Sequence, residues 1–122
     1  MLTTDFVIRD RGMMFRQGDV LIVPIAEAQV PPVVSGLEPT ARDPHERMIL
    51  ALGEATGHAH AVVGQGALYP AASPLEPMYL RLDDKGGRVV HEEHGTITLP
   101  AGWYRVIRQR EYEPGSVRVV AD

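Results

Sequence analysis

The sequence predicts an all-β fold, a single-domain antiparallel β-barrel or jelly-roll-like sandwich with little helix. Three observations carry this. Short apolar, β-branched runs recur roughly every ten residues, the spacing of sandwiches and barrels. The 12 glycines and 10 prolines scatter between those runs as turn residues and form no single tract. The length of 122 residues suits one domain, and a hydrophobic content of 44% suits a packed core.

Residues 1–12 carry Asp5, Arg9, Asp10 and Arg11 and show no apolar period. They read as a flexible N-terminal arm before a single β domain over 13–122, and Met13-Met14 marks an alternative start. Residues 19–25 form a continuous apolar run, expected as a buried strand. Residues 26–43 hold Pro31, Pro32, Gly36 and Pro39 and read either as a long surface loop or as an added strand. Asp43-Pro44-His45-Glu46 is a helix-start pattern, so a short helical turn and then a strand are expected before Gly53. Residues 56–63 alternate, with His58, His60 and Val62 on one face and Ala59, Ala61 and Val63 on the other. A short strand is expected near Leu68. Residues 78–82 alternate, and Asp83-Asp84-Lys85-Gly86-Gly87 has hairpin-turn chemistry, with 88–91 pairing back. Strands over 96–99, 103–112 and 117–120 complete the chain.

Composition excludes several classes. With no cysteine there is no disulfide, no thiolate nucleophile and no Cys-based zinc site. A net charge of −4 argues against nonspecific nucleic-acid binding, although Arg105, Arg108 and Arg110 lie close together. No apolar stretch approaches the roughly 20 residues a spanning helix needs, and the N-terminus is not a secretory signal. The expectation is a cytoplasmic protein without membrane contact. Ser35, Ser73 and Ser116 lack a nucleophile-elbow context, and no phosphate loop is present.

The chemistry-bearing residues are histidines. Four of the five fall in two clusters, His58-Ala59-His60 and His91-Glu92-Glu93-His94. On a strand, residues i and i+2 share a face, so both imidazoles of the first cluster can point at one ion, each about 2.0–2.1 Å away for zinc. His91 and His94 face opposite ways on a regular strand, and a turn or bulge near Glu93 and Gly95 would bring them together. Glu92 or Glu93 is the candidate proton acceptor. The competing reading makes His58 and His60 half-buried residues bonded to backbone and the 91–94 segment a polar strand end. Trp103 and Tyr104 are expected as core residues.

Gly53, His58, His60 and Gln65 together resemble the first motif of the cupin family. Gly95, Pro100-Ala101-Gly102, Arg105 and Gln109 resemble its second. The resemblance covers residues 53–109 in the expected order. It departs at Gln65, where glutamate is usual, at Arg105, where a third histidine is usual, and at each glycine, one residue too near. It implies a small β-barrel or jelly roll that retains His58 and His60 as ligands, with His91 or His94 filling the vacancy. Residues 91–112 together with 56–60 also resemble small bacterial and phage proteins described only as uncharacterised.

The leading expectation is therefore a cupin-like protein binding a divalent metal (zinc, or iron, manganese or nickel) through His58, His60, His91 and His94. Its catalytic form is a metal-dependent enzyme acting on an unidentified small molecule. The alternative is a non-catalytic binding or assembly module with structural histidines, and a homodimer is compatible with either.

Overall fold

The computed structural model describes residues 6–9, 12–53 and 57–108. Among them are eight strands: β1 Phe6–Arg9, β2 Gly12–Gln17, β3 Val20–Ile25, β4 Met48–Leu52, β5 Ala59–Tyr69, β6 Met78–Val90, β7 Ile97–Leu99 and β8 Gly102–Arg108. Two short 3-10 helices, Glu27–Gln29 and Pro32–Gly36, are the helical content of the described residues. No described helix is long and apolar enough to cross a membrane. The fold is all-β and antiparallel, as the strand spacing predicts.

The strands form one sheet in the order β1-β2-β3-β8-β6-β5-β4, with β7 added to β6. β6 organises it. One edge of β6 carries β5, and the other carries β8 along Met78 to Leu82 and then β7 along Gly87 to Val89. Phe15 of β2 and Met48 of β4 come from opposite ends of the pairing order, yet they share one apolar cluster with Ile22, Leu68, Leu80 and Val106. The sheet therefore curls around a single core. Each fully buried Leu or Ile contributes about 1.5–3 kcal/mol to that closure.

The sheet's outer face is also covered in part. Val30 and Val34, from the two 3-10 helices, pack with Tyr69, and Ile25, Tyr79 and Trp103 lie against them. This is what residues 26–43 do: the segment is neither an added strand nor a free loop but a cover over β3, β8 and β6. The helix-start pattern at Asp43 makes a turn. Asp43 Oδ1 accepts the backbone N–H groups of His45 (2.9 Å) and Arg47 (2.8 Å), Glu46 takes a positive φ of 65°, and β4 follows.

The expected hairpin at Asp83-Asp84-Lys85-Gly86-Gly87 is corrected. Residues 78–90 are one continuous strand, and β6 pairs with β5 on both sides of those five residues. Asp83, Asp84, Lys85 and Gly86 stand opposite Gln65 alone, between the pairs Gly66↔Leu82 and Gly64↔Gly87. This is a large bulge, which bends a strand and resets its alternation. Leu82 and Val89 both face the core although an odd interval separates them, and a regular strand would not allow that. A Cβ on Gly66 (φ 152°) would overlap the carbonyl oxygen of Arg81, so the bulge needs glycine there. The separate strands expected at 56–63 and near Leu68 are likewise one strand, β5.

The segment read as an N-terminal arm contains β1, whose Phe6 to Arg9 pair with Phe15 to Gly12. The expected strand over 103–112 is β8 up to Arg108. Its remainder, Arg110 and the expected strand over 117–120 lie outside the described residues.

Candidate metal centre

His58 precedes β5 and His60 lies within it. The turn from β4 is closed by Gly53 N–H donating to the His58 carbonyl (2.8 Å), with Gly57 at φ 86°. His91 to His94 occupy the connection between β6 and β7. Because β5 and β6 pair at Ala61↔Val90, the start of one strand and the end of the other lie side by side. That register brings the two histidine clusters together.

The four rings form one group around His91. Its centroid is 4.3 Å from that of His60, 4.7 Å from His94 and 5.7 Å from His58, and His60 and His94 are 5.6 Å apart. His58, His91 and Glu92 each offer a ligand atom within 4.8 Å of the others. Ligands at 2.0–2.1 Å from a tetrahedral ion are roughly 3.4 Å apart, a separation within that bound. Glu93 sits on the rim, its carboxylate 3.5 Å from His58 Nδ1 and 68% exposed. The fifth histidine, His45, is exposed in the Asp43 turn.

Two of these groups already have partners. Glu92 Oε1 accepts the Ala59 N–H (3.0 Å), a bond that holds its carboxyl below the ordinary range. A carboxylate so stabilised is a weak base, and its chemistry fits a ligand or orienting group better than the proton acceptor expected from sequence. His91 Nδ1 accepts the Glu93 N–H (2.9 Å), which places the ring proton on Nε2. Ligation through Nδ1 would exchange that bond for a metal bond.

His60 is held differently. Gln17, fully buried, donates through Nε2 to the carbonyls of Gly95 (2.9 Å) and Val89 (3.3 Å). Its Oε1 therefore faces His60 Nδ1 at 2.8 Å and can only accept, so the Nδ1 of His60 carries the proton and Nε2 keeps its lone pair. Nε2 lies 4.0 Å from Asp19 Oδ1, and Asp19 Oδ2 accepts from Arg108 Nη2 at 3.4 Å. Burial pushes His60 down to about 4, helped by His91 and His94 and opposed by Asp19. Burial, then His94, lowers His91 as well. Burial thus favours the neutral form of both rings, the state a metal ligand requires.

The structure thus brings His58, His60, His91, His94, Glu92 and Glu93 into one neighbourhood. Sequence reasoning missed Gln17 and Asp19, and took Arg108 only as part of a basic cluster with Arg105 and Arg110. Gln17 and Asp19 flank a turn glycine, Gly18, and nothing in their local pattern distinguishes them from an ordinary polar turn. Arg105 belongs elsewhere: it alternates with the buried Tyr104 and Val106 and lines an outer cleft with Ile25, Gln29 and Tyr79. Arg105 and Arg108 therefore do not share a face. Gln65 is exposed at the bulge.

Residues 16–109 match the family described as a domain of unknown function (DUF8820), a span containing every residue of the centre. No curated protein and no solved structure matches the chain.

Proposed function

The chain belongs to the DUF8820 family, and we propose that this member binds a divalent transition metal at the meeting of its two histidine clusters. The supporting observation is the grouping of ligand atoms from His58, His91 and Glu92 within 4.8 Å. His60 and His94 border that group. Mixed imidazole and carboxylate donors suit zinc, iron, manganese or nickel, and the absence of cysteine disfavours thiolate-seeking ions. Gln17 plays the part usual for an outer partner, fixing the tautomer of a ring at the site.

In the cupin-like form of this reading, His58 and His60 are the retained pair. The 91–94 segment replaces the ligand missing at Arg105, whose side chain faces away from the core. A bound ion would act as a Lewis acid or water activator toward an unidentified small molecule. With its Nδ1 held by Gln17, His60 would offer Nε2 as its ligating nitrogen.

Protein stripped with a chelator and titrated with each of the four metals tests the proposal. Its melting temperature should rise with at least one metal in the wild type and not in a folded His58→Ala variant. If no metal shifts either protein, the proposal is wrong. The bonds from Ala59 to Glu92 and from Glu93 to His91 favour one rival: a polar cluster that closes the end of the core without a metal. On that reading His58→Ala changes stability alone.

A further inference from the structure

We propose that the outer cleft between the Glu27–Gln29 helix and strands β3, β8 and β6 is a second binding site, taking a small oxyanion on Arg105. The cleft holds about 320 Å³ and is lined by Ile25, Gln29, Tyr79 and Arg105. It lies on the opposite face of the sheet from the core that His60 adjoins.

Strand register builds it. Arg105 pairs with Val23 of β3 on one side and with Tyr79 of β6 on the other. Tyr79 and Arg105 are therefore cross-strand neighbours with side chains on the same face, within reach of a shared ligand. Gln29 closes the cleft from the covering segment. Its Oε1 accepts the Ala26 N–H at 3.1 Å, so its amide nitrogen is the end left to donate. Among the described residues no carboxylate pairs with Arg105, and its Nε is buried without any partner. Arg108 Nε is likewise without a partner, but Arg108 has a carboxylate beside it in Asp19, as Arg81 has in Asp83, and Arg105 has none among the described residues.

The lining thus presents a fixed positive charge, a phenol hydroxyl and a carboxamide N–H, and among the described residues it includes no acidic side chain. Partly desolvated guanidinium without a counter-ion is costly, and an anion accepting its hydrogen bonds removes that cost. The ligand chemistry is an oxyanion, phosphate or carboxylate, carried on a small molecule that the cleft volume admits.

Trp103, the only tryptophan of the chain, reports on this site. It lies two residues before Arg105 on the same strand face and stacks on Tyr69. Chelator-treated protein is titrated with inorganic phosphate, and separately with acetate, while Trp103 fluorescence is followed. Sodium chloride at matched ionic strength serves as the control. The proposal expects a saturable change with at least one oxyanion and none with chloride. Arg105→Gln should weaken it about tenfold or more. Tyr79→Phe, which removes only a hydroxyl, should weaken it to a smaller extent and provides the test if Arg105→Gln does not fold. Saturation with phosphate alone marks a phosphoryl ligand, and saturation with both marks an oxyanion site in general. A linear response to every salt, or equal binding in the folded variants, would overturn the proposal.

Discussion

Gln17 decides what His60 can do. With Gln17 Oε1 accepting from Nδ1, the ring is locked with its other nitrogen available to accept. Replacing Gln17 by Leu removes that lock and the hydrogen bonds it donates to the carbonyls of Val89 and Gly95. Loss of an outer partner of this kind typically lowers metal affinity 10–100-fold. The nitrogen shifts of His60 in an NMR spectrum should move from a single Nδ1–H tautomer toward a mixture, a signature that general destabilisation would not produce. Burial also makes His60 an acid sensor of stability. The unfolded chain takes up a proton near pH 6.5, whereas the folded protein refuses it until about pH 4. Stability is therefore unaffected by this group above pH 6.5 and falls as pH drops through that window, by about 3 kcal/mol in all. Urea unfolding at pH 7.5 and pH 4.5 measures it, and His60→Gln should flatten the slope. Stability that rises on acidification would contradict the assignment.

At the scale of elements, the bulge in β6 and the glycines opposite it decide the shape. Gly66→Ala forces a side chain into the Arg81 carbonyl at a φ of 152°, so a loss of roughly 1–3 kcal/mol or more is expected in thermal unfolding. At the exposed Asp84 of the same bulge, Asp84→Asn should change stability by less than about 0.5 kcal/mol. Here the sequence was legible only in part. The apolar run at 19–25 and the alternation at 78–82 were plain, because hydrophobic patterning reports a buried or half-buried strand directly. The same five residues, Asp83 to Gly87, serve a hairpin and a bulge with equal local chemistry, and only the long-range pairing with β5 distinguishes them. The covering role of 26–43 was equally hidden, since Val30 and Val34 bury against residues distant in sequence. β1 is a further element of this kind. Deleting residues 1–12 measures what its pairing with β2 contributes; a fall of several degrees in melting temperature is the result expected of a paired edge strand.

Over the whole molecule, one curled sheet places two turns and one strand start at the same end of the core. The histidine clusters were visible as spacing, yet their meeting depends on the β5–β6 register, and the polar trio of Gln17, Asp19 and His60 emerges only when β2, β3 and β5 are assembled. The central claim is that this assembly holds a metal. The most direct measurement is the metal content of protein expressed and purified without a histidine tag, alongside His58→Ala prepared in the same way. The account predicts a stoichiometric transition metal in the wild type and its loss from the folded variant. Metal-free wild type that also takes up no zinc, iron, manganese or nickel would contradict it and leave a hydrogen-bonded histidine cluster in its place.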